Sequence, residues 1–436
     1  MADGAAPAGS GNGTAAPSCA GTGHGSPCTN SAVRPADHHH EGESMRENEN
    51  LPFTLDEYRT RLARVREGMA AREIDVAMIS VPENIYYLTG YTTLGYYMYQ
   101  TLLVPAEGEP LLLTYREERI NVQRLSWLER YTDYDVTQDP IEVTVDALDE
   151  VGARGKVTSI EESGYFFPIR TYHRLVAALP QTRWVDGSGL VEAVRLVKSP
   201  AEIDYIRLAA GAAMAGMRSA LDTARPGVTE NEVAAAVYGG TLRHGSEYPG
   251  SPPYVISGER SGLPHGTWEG RELRDGDIVF LEFSGCVRRY SAAMMRAAFI
   301  GDPPAAVTGR VAAVVDGLEA AIGTIRAGVT SGAVDDACRK TLVSHGFGDF
   351  THETGYSIGV CYPPGWNESH IMNLHPGDET VLRPNMVFHL VPSLIVPELN
   401  GHVGFSETVV VTETGCEVLT GKVVPRELQL LPGTLR

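Results

Sequence analysis

Apolar and polar positions alternate and recur along this chain in patterns that assign most of its elements. Over residues 55–72 the apolar groups Tyr58, Leu62, Val65 and Met69 fall at helical spacing, with Thr54 placed to cap the first turn. Residues 76–80 form a short apolar run of strand length, 84–91 read as a loop, and 102–104 with 110–114 read as a hairpin. A helical stretch over 143–152 precedes another strand at 156–160. Strands alternating with helices predict an α/β domain with a mixed sheet, ending near Gly189. Ser199, Pro200 and Glu202 then open a long amphipathic helix that runs to about Thr223.

Beyond it the pattern repeats. The run RPGVT at 225–229 is echoed by RAGVT at 326–330, Val233 by Val334, and His244-Gly245 by His345-Gly346, all at one offset. A helix, a glycine turn and a second helix therefore occur twice, each pair leading into strand-like sequence. This predicts two similar halves around a shared sheet, with a cleft between them as the natural ligand site.

The centre of the pattern is 277–296, DIVFLEFSGCVRRYSAAMMR. It reads as an apolar strand carrying one carboxylate, a turn at Gly285-Cys286, and a basic and aromatic return strand. Glu282 sits between Leu281 and Phe283 in what alternation marks as a buried strand. A carboxylate there costs several kcal/mol unless it is paired, metal-bound or protonated. Glu282 is therefore either a group kept for chemistry or a structural partner of Arg288 or Arg289.

Composition narrows the function. The 436-residue chain has a formal net charge of −19, which argues against nucleic acid and against an anionic membrane surface. No apolar run is long enough to span a bilayer, and no secretory signal is visible at the N-terminus. Cys19, Cys28, Cys286, Cys338, Cys361 and Cys416 are scattered without a CxxC pair, so neither a zinc site nor a disulfide framework is expected, and a reducing cytoplasm is the simplest compartment. Residues 1–49 hold few large apolar groups and read as a disordered leader; His38, His39 and His40 within it are not expected to form a site.

From about Leu51 onward the chain resembles the creatinase/prolidase/methionine aminopeptidase superfamily of pita-bread proteins. The resemblance is carried by NIYYLTGY at 84–91, VKSPAEI at 197–203, PNMVF at 384–388 and ETVVVTETG at 407–415. It implies an α/β (α+β) protein with a creatinase-like N-terminal domain over 50–190 and a pita-bread catalytic domain with a pseudo-two-fold repeat over 191–436. Metal-dependent members bind two ions through two Asp, one His and two Glu. Here Glu282, Ala293, Tyr356, Val391 and Ser406 stand at those positions, although a one-residue shift of register would put Glu407 in the last place. One carboxylate among Ala, Tyr, Val and Ser cannot hold a divalent ion, so no metal and no cofactor is expected.

The substitutions resemble a metal-free branch, the ectoine hydrolases, through EFSGCVRRY at 282–290, GYSIGVCYPPGWNE at 355–368, PHGTW at 264–268 and MVFH at 386–389. The resemblance implies hydrolysis of a C–N bond in a cyclic amidine amino acid, with Glu282 as nucleophile or base and His265 as proton shuttle. Residues 291–295 and 393–395 depart from that branch. Open alternatives are a creatinase-like amidinohydrolase, another metal-free pita-bread enzyme of specialised metabolism, and a non-catalytic binding protein. Trp268 and Trp366 either stack on a planar amidinium or pack in the core. Tyr356 either hydrogen-bonds substrate or fills vacated volume. His389 faces the cleft or is a core histidine, and Glu407 anchors an ammonium or pairs with an arginine. Tyr96, Tyr97 and Tyr99 form an aromatic tip, which in the family reaches the cleft of the neighbouring subunit, so a homodimer is implied.

Overall fold

A computed structural model describes residues 50–348 and 350–434. The expected leader and its three histidines lie outside the described residues. The helix Leu55–Ala71 forms as expected, with the Thr54 hydroxyl accepting the Glu57 amide at 3.3 Å. Six strands follow: β1 (Val76–Ile79), β2 (Thr101–Pro105), β3 (Leu111–Tyr115), β4 (Tyr131–Tyr134), β5 (Val157–Ile160) and β6 (Arg183–Asp186). They form one sheet in the order β4-β3-β2-β1-β5-β6. β1, β2 and β3 pair antiparallel and the remaining neighbours parallel, so the sheet is mixed.

The segment 84–91 is not a loop. It lies largely in the helix Pro82–Thr89, opened by a proline in its first turn and closed by Gly90 at φ 79°. Seven of its eight residues are buried, so it carries no polar face and hence no amphipathic period to read.

The helix Pro200–Thr223 opens on a full capping box between Ser199 and Glu202. The repeat is structural. Gly227 and Gly328 share φ 83°, and Thr229 and Thr330 cap the helices Glu230–Arg243 and Ser331–Ser344. Each threonine also makes an isolated bridge, to Glu272 and to Val381.

These helix pairs flank a ten-stranded sheet built from β7 (Tyr254–Ser257), β8 (Ile278–Val287), β9 (Tyr290–Ile300), β10 (Gly355–Tyr362), β11 (Gly365–Asn367), β12 (Asn373–Leu374), β13 (Val387–Leu390), β16 (Glu407–Val411), β17 (Cys416–Val418) and β18 (Gln429–Leu431). Its main path is β17-β16-β13-β10-β9-β8-β7; β14 (Ser393–Val396) and β15 (Gly401–Gly404) form a separate hairpin.

The turn of the central hairpin also differs from expectation. Gly285 and Cys286 continue β8, paired with Ala292 and Ser291, and the chain reverses at Arg288-Arg289. Both arginines have positive φ, 47° and 61°, as a two-residue hairpin turn of type I′ requires. Arg289 is held there by Tyr248 O at 2.7 Å and Cys361 O at 2.7 Å. Arg288 is exposed, and its backbone carries the local contacts: Tyr86 Oη donates to its carbonyl at 2.5 Å. Arg288→Gly keeps those contacts and removes the left-handed strain, so it should stabilise the chain by up to about 1 kcal/mol, read as a higher urea midpoint at unchanged slope.

The two sheets are joined by a buried polar seam. Glu368 binds Arg195 at 2.7 Å and Lys198 at 2.8 Å. Arg195 donates onward to Asn84 at 2.6 Å, and Asn84 donates to Glu161 and Glu192 at 2.6 and 2.7 Å. The two cations outweigh burial and hold the Glu368 carboxyl down at about 2. Among the described residues no helix is long and apolar enough to cross a membrane.

Candidate active site

Strand alternation decides what faces the cleft. On β8, Phe280, Glu282 and Ser284 share one face, while Val279, Leu281 and Phe283 point the other way into the core under the helices. Tyr254 on β7 and Met295 on β9 lie directly across from Glu282. Ile256, Phe280, Met295 and Val391 form an apolar cluster against which Tyr254 and Tyr356 pack. Glu282 is thus a carboxylate on an apolar and aromatic floor.

No hydrogen bond or ion pair to Glu282 is found among the described residues. Arg289 is committed to carbonyls and Arg288 to the turn, so the structural pairing considered for this glutamate does not form. The residue as a whole is half-buried, yet its surroundings desolvate the carboxyl. Burial alone pushes it up to about 8. Ser284, two residues on and opposite Ala293, is buried with an unpartnered hydroxyl.

Beside Glu282 runs a chain of fixed polar contacts. Trp366 Nε1 donates to Tyr356 Oη at 3.1 Å, Tyr356 Oη meets His389 Nδ1 at 2.9 Å, and His389 Nε2 meets Ser406 Oγ at 2.6 Å. Tyr356 and His389 are cross-strand neighbours on β10 and β13. Burial, with the charge of Arg296 as a lesser cause, pulls His389 down to about 3, so its ring is neutral. Burial, with Glu282 as the next cause, pushes Tyr356 far above the usual phenol range.

Tyr254, which the sequence did not single out, joins the parts. Its ring lies 5.1 Å from Trp366 and 5.8 Å from His265, centre to centre. Its only advance signal was one aromatic residue after a Pro-rich run. His265 is exposed at the rim with φ 54°, an uncommon conformation for a non-glycine residue. No hydrogen bond joins it to Glu282.

Other candidates lie elsewhere. Trp268 meets Tyr238 edge-on at 6.2 Å and packs against the core beneath the helices, not beside Glu282. Glu407 points away from the cleft. It is fully buried and pairs with Arg296 at 2.7 Å, accepts from Thr420 Oγ1, and lies 3.4 Å from Arg426. The register is therefore the one that puts Ser406, not Glu407, beside the cleft. Of the aromatic tip, Tyr97 is 75% exposed with Leu94 beside it. Tyr96 leans on Tyr362 and Phe166, and Tyr99 bonds Thr144 inside the N-terminal sheet.

The side chains in place do not fit a divalent ion. Ala293 and Val391 offer no donor atom, and the imidazole of His389 is engaged at both nitrogens. Among the described residues no cluster of three His, Cys, Asp or Glu could hold a metal.

Comparison with known proteins places this geometry in context. Residues 204–413 match the metallopeptidase family M24, and residues 61–197 match the creatinase/prolidase N-terminal domain. The chain is 34% identical over 399 residues to the ectoine hydrolase of Halomonas elongata, covering 87% of this chain and 98% of that one. It is 25% identical over 368 residues to an Xaa-Pro dipeptidase of Pyrococcus furiosus, covering 83% and 97%. Among solved structures it is similar to the dipeptidase PepE of Mycobacterium ulcerans, with a TM-score of 0.75, 27% identity, and 87% and 99% of the two chains covered.

Proposed function

The chain belongs to the M24 family of hydrolases, behind a creatinase-like N-terminal domain, and from that membership we propose a metal-independent hydrolase of a C–N bond in a small cyclic amidine amino acid, ectoine first. One observation carries the reading: an unpartnered carboxyl stands on an apolar floor walled by Tyr254 and Tyr356. A desolvated carboxyl with no cation beside it is a ready counter-ion for a cationic substrate. An amidinium entering between Tyr254, Tyr356 and Trp366 supplies the missing positive charge and returns Glu282 to its ionised form. Charge neutralisation and activation of the nucleophile then happen in one step.

Glu282 attacks the amidine carbon, or takes a proton from water that does so. One C–N bond breaks, its nitrogen leaves as an amine after gaining a proton, and the carbon keeps the water oxygen as an amide. His265 at the rim serves as the proton carrier. Met295, opposite Glu282, falls in a segment that departs from the ectoine hydrolases, so it sets which side group the substrate carries. The exposed Tyr97 and Leu94 are the surface through which we expect two copies to associate, each tip against the other's cleft.

The test is incubation with ectoine, hydroxyectoine and creatine, followed by NMR, with and without chelator. Ring opening of an ectoine at a rate unchanged by chelator is expected. Creatine turnover would move the reading to a creatinase-like enzyme. Activity lost with chelator and restored by a divalent ion would end it.

A further inference from the structure

Hydrogen-bond accounting along the polar chain fixes more than its members. Tyr356 Oη already accepts the indole N–H of Trp366. Two wirings remain for a neutral His389. In the first, the phenol donates to Nδ1 and Nε2–H donates to Ser406 Oγ. The Ser406 hydroxyl hydrogen is then left without an acceptor in a fully buried position, a penalty on the order of 1–3 kcal/mol. In the second, Ser406 Oγ–H donates to Nε2, and Nδ1–H donates to Tyr356 Oη. Every hydrogen then has an acceptor except one, the phenolic hydrogen of Tyr356. That side chain is partly open and packs against the apolar cluster beneath Glu282.

We propose that Ser406 and His389 are positioning residues that set the Tyr356 hydroxyl as a hydrogen-bond donor aimed into the cleft, and that its acceptor is the nitrogen released from the attacked amidine carbon. The wiring stands on the structure alone; the identity of the acceptor rests on the hydrolase reading above. An amidinium nitrogen in the ground state presents only N–H groups and accepts nothing. Once its carbon is attacked, the nitrogen becomes pyramidal and gains a lone pair. A donor held in place beforehand meets that lone pair only after attack, so it lowers the barrier without tightening substrate binding. Two hydrogen bonds accepted from His389 and Trp366 also polarise the phenol and strengthen it as a donor. Tyr356 thus does electrophilic work at the cleft, with Ser406 as the far end of its support.

The full-length protein, labelled with ¹⁵N-histidine, reports the wiring directly. Long-range ¹H–¹⁵N spectra separate the two neutral tautomers, and the His389 ring is assigned by its loss in His389→Gln, or by its shift in Tyr356→Phe if the first variant does not fold. A proton on Nδ1 is expected; a proton on Nε2 overturns the proposal whatever the substrate. With an amidine that the enzyme turns over, Tyr356→Phe should lower kcat by about 10²-fold at nearly constant KM. Ser406→Ala should lower kcat by about 10-fold and mix the His389 tautomers, while Ser406→Thr restores both. A rise in KM with kcat intact would make Tyr356 a ground-state contact and end the donor role. If no amidine is turned over, the functional reading fails by itself and the tautomer still decides the wiring.

Discussion

Glu282→Gln is expected to fold, to gain stability in alkaline buffer, and to lose turnover by about 10²–10⁴-fold. The loss follows from removing the one carboxylate on the cleft floor while keeping its shape. The gain follows from linkage. Desolvation holds the Glu282 carboxyl at about 8 in the folded chain, against about 4.3 unfolded. A group raised in this way contributes fully below its unfolded value and loses that contribution as pH climbs through its folded value. The wild type therefore gives up a few kcal/mol between about pH 4 and pH 8, at roughly 1.4 kcal/mol per unit. Glutamine never ionises, so the urea midpoints of the two proteins should coincide near pH 4 and diverge in the variant's favour by pH 8. The same titration shapes the kinetics. In the free enzyme kcat/KM should rise toward pH 8 as the carboxyl ionises, while a bound amidinium moves the corresponding limb of kcat to lower pH. Full activity in Glu282→Gln, or midpoints that stay parallel across the range, would contradict the site as described.

Glu407→Ala is expected to damage the fold, at about 3–5 kcal/mol, and not substrate affinity. Its carboxylate neutralises Arg296, whose Nη1 donates to Ser406 O and Met295 O at 2.8 Å each. Removing the acid strands a buried guanidinium among carbonyls. Had Glu407 anchored a substrate ammonium, the variant would keep its denaturation midpoint and show only a raised KM. A denaturant titration beside a KM measurement separates the two outcomes.

Glu282 was legible in the sequence because a carboxylate interrupts an apolar strand, and such interruptions are expensive. His389 was legible for the same reason, between Phe388 and Leu390. The capping box at Ser199 and the doubled glycine turn at Gly227 and Gly328 are local chemistry and needed no tertiary context. What escaped depended on neighbours far along the chain. The hairpin reverses at two arginines rather than at the glycine, because Arg289 finds the carbonyls of Cys361 and Tyr248 to hold it in an unfavourable conformation. The helix Pro82–Thr89 is buried on nearly every side and so shows no period. Ser406 and Glu407 are adjacent, and only strand register tells which of them faces the cleft. Tyr254 gains its place from pairing with Glu282, and Trp268 takes the second of its two readings, packing edge-on to Tyr238.

The seam through Glu368, Arg195 and Asn84 also has a bearing on traffic. Parting the two lobes would break the bonds of Asn84 to Arg195 and to Glu192 in the same movement and leave buried polar groups without those partners. A jaw-like opening between the lobes therefore carries the cost of those unmade buried bonds, and a small molecule is expected to reach Glu282 with the lobes together.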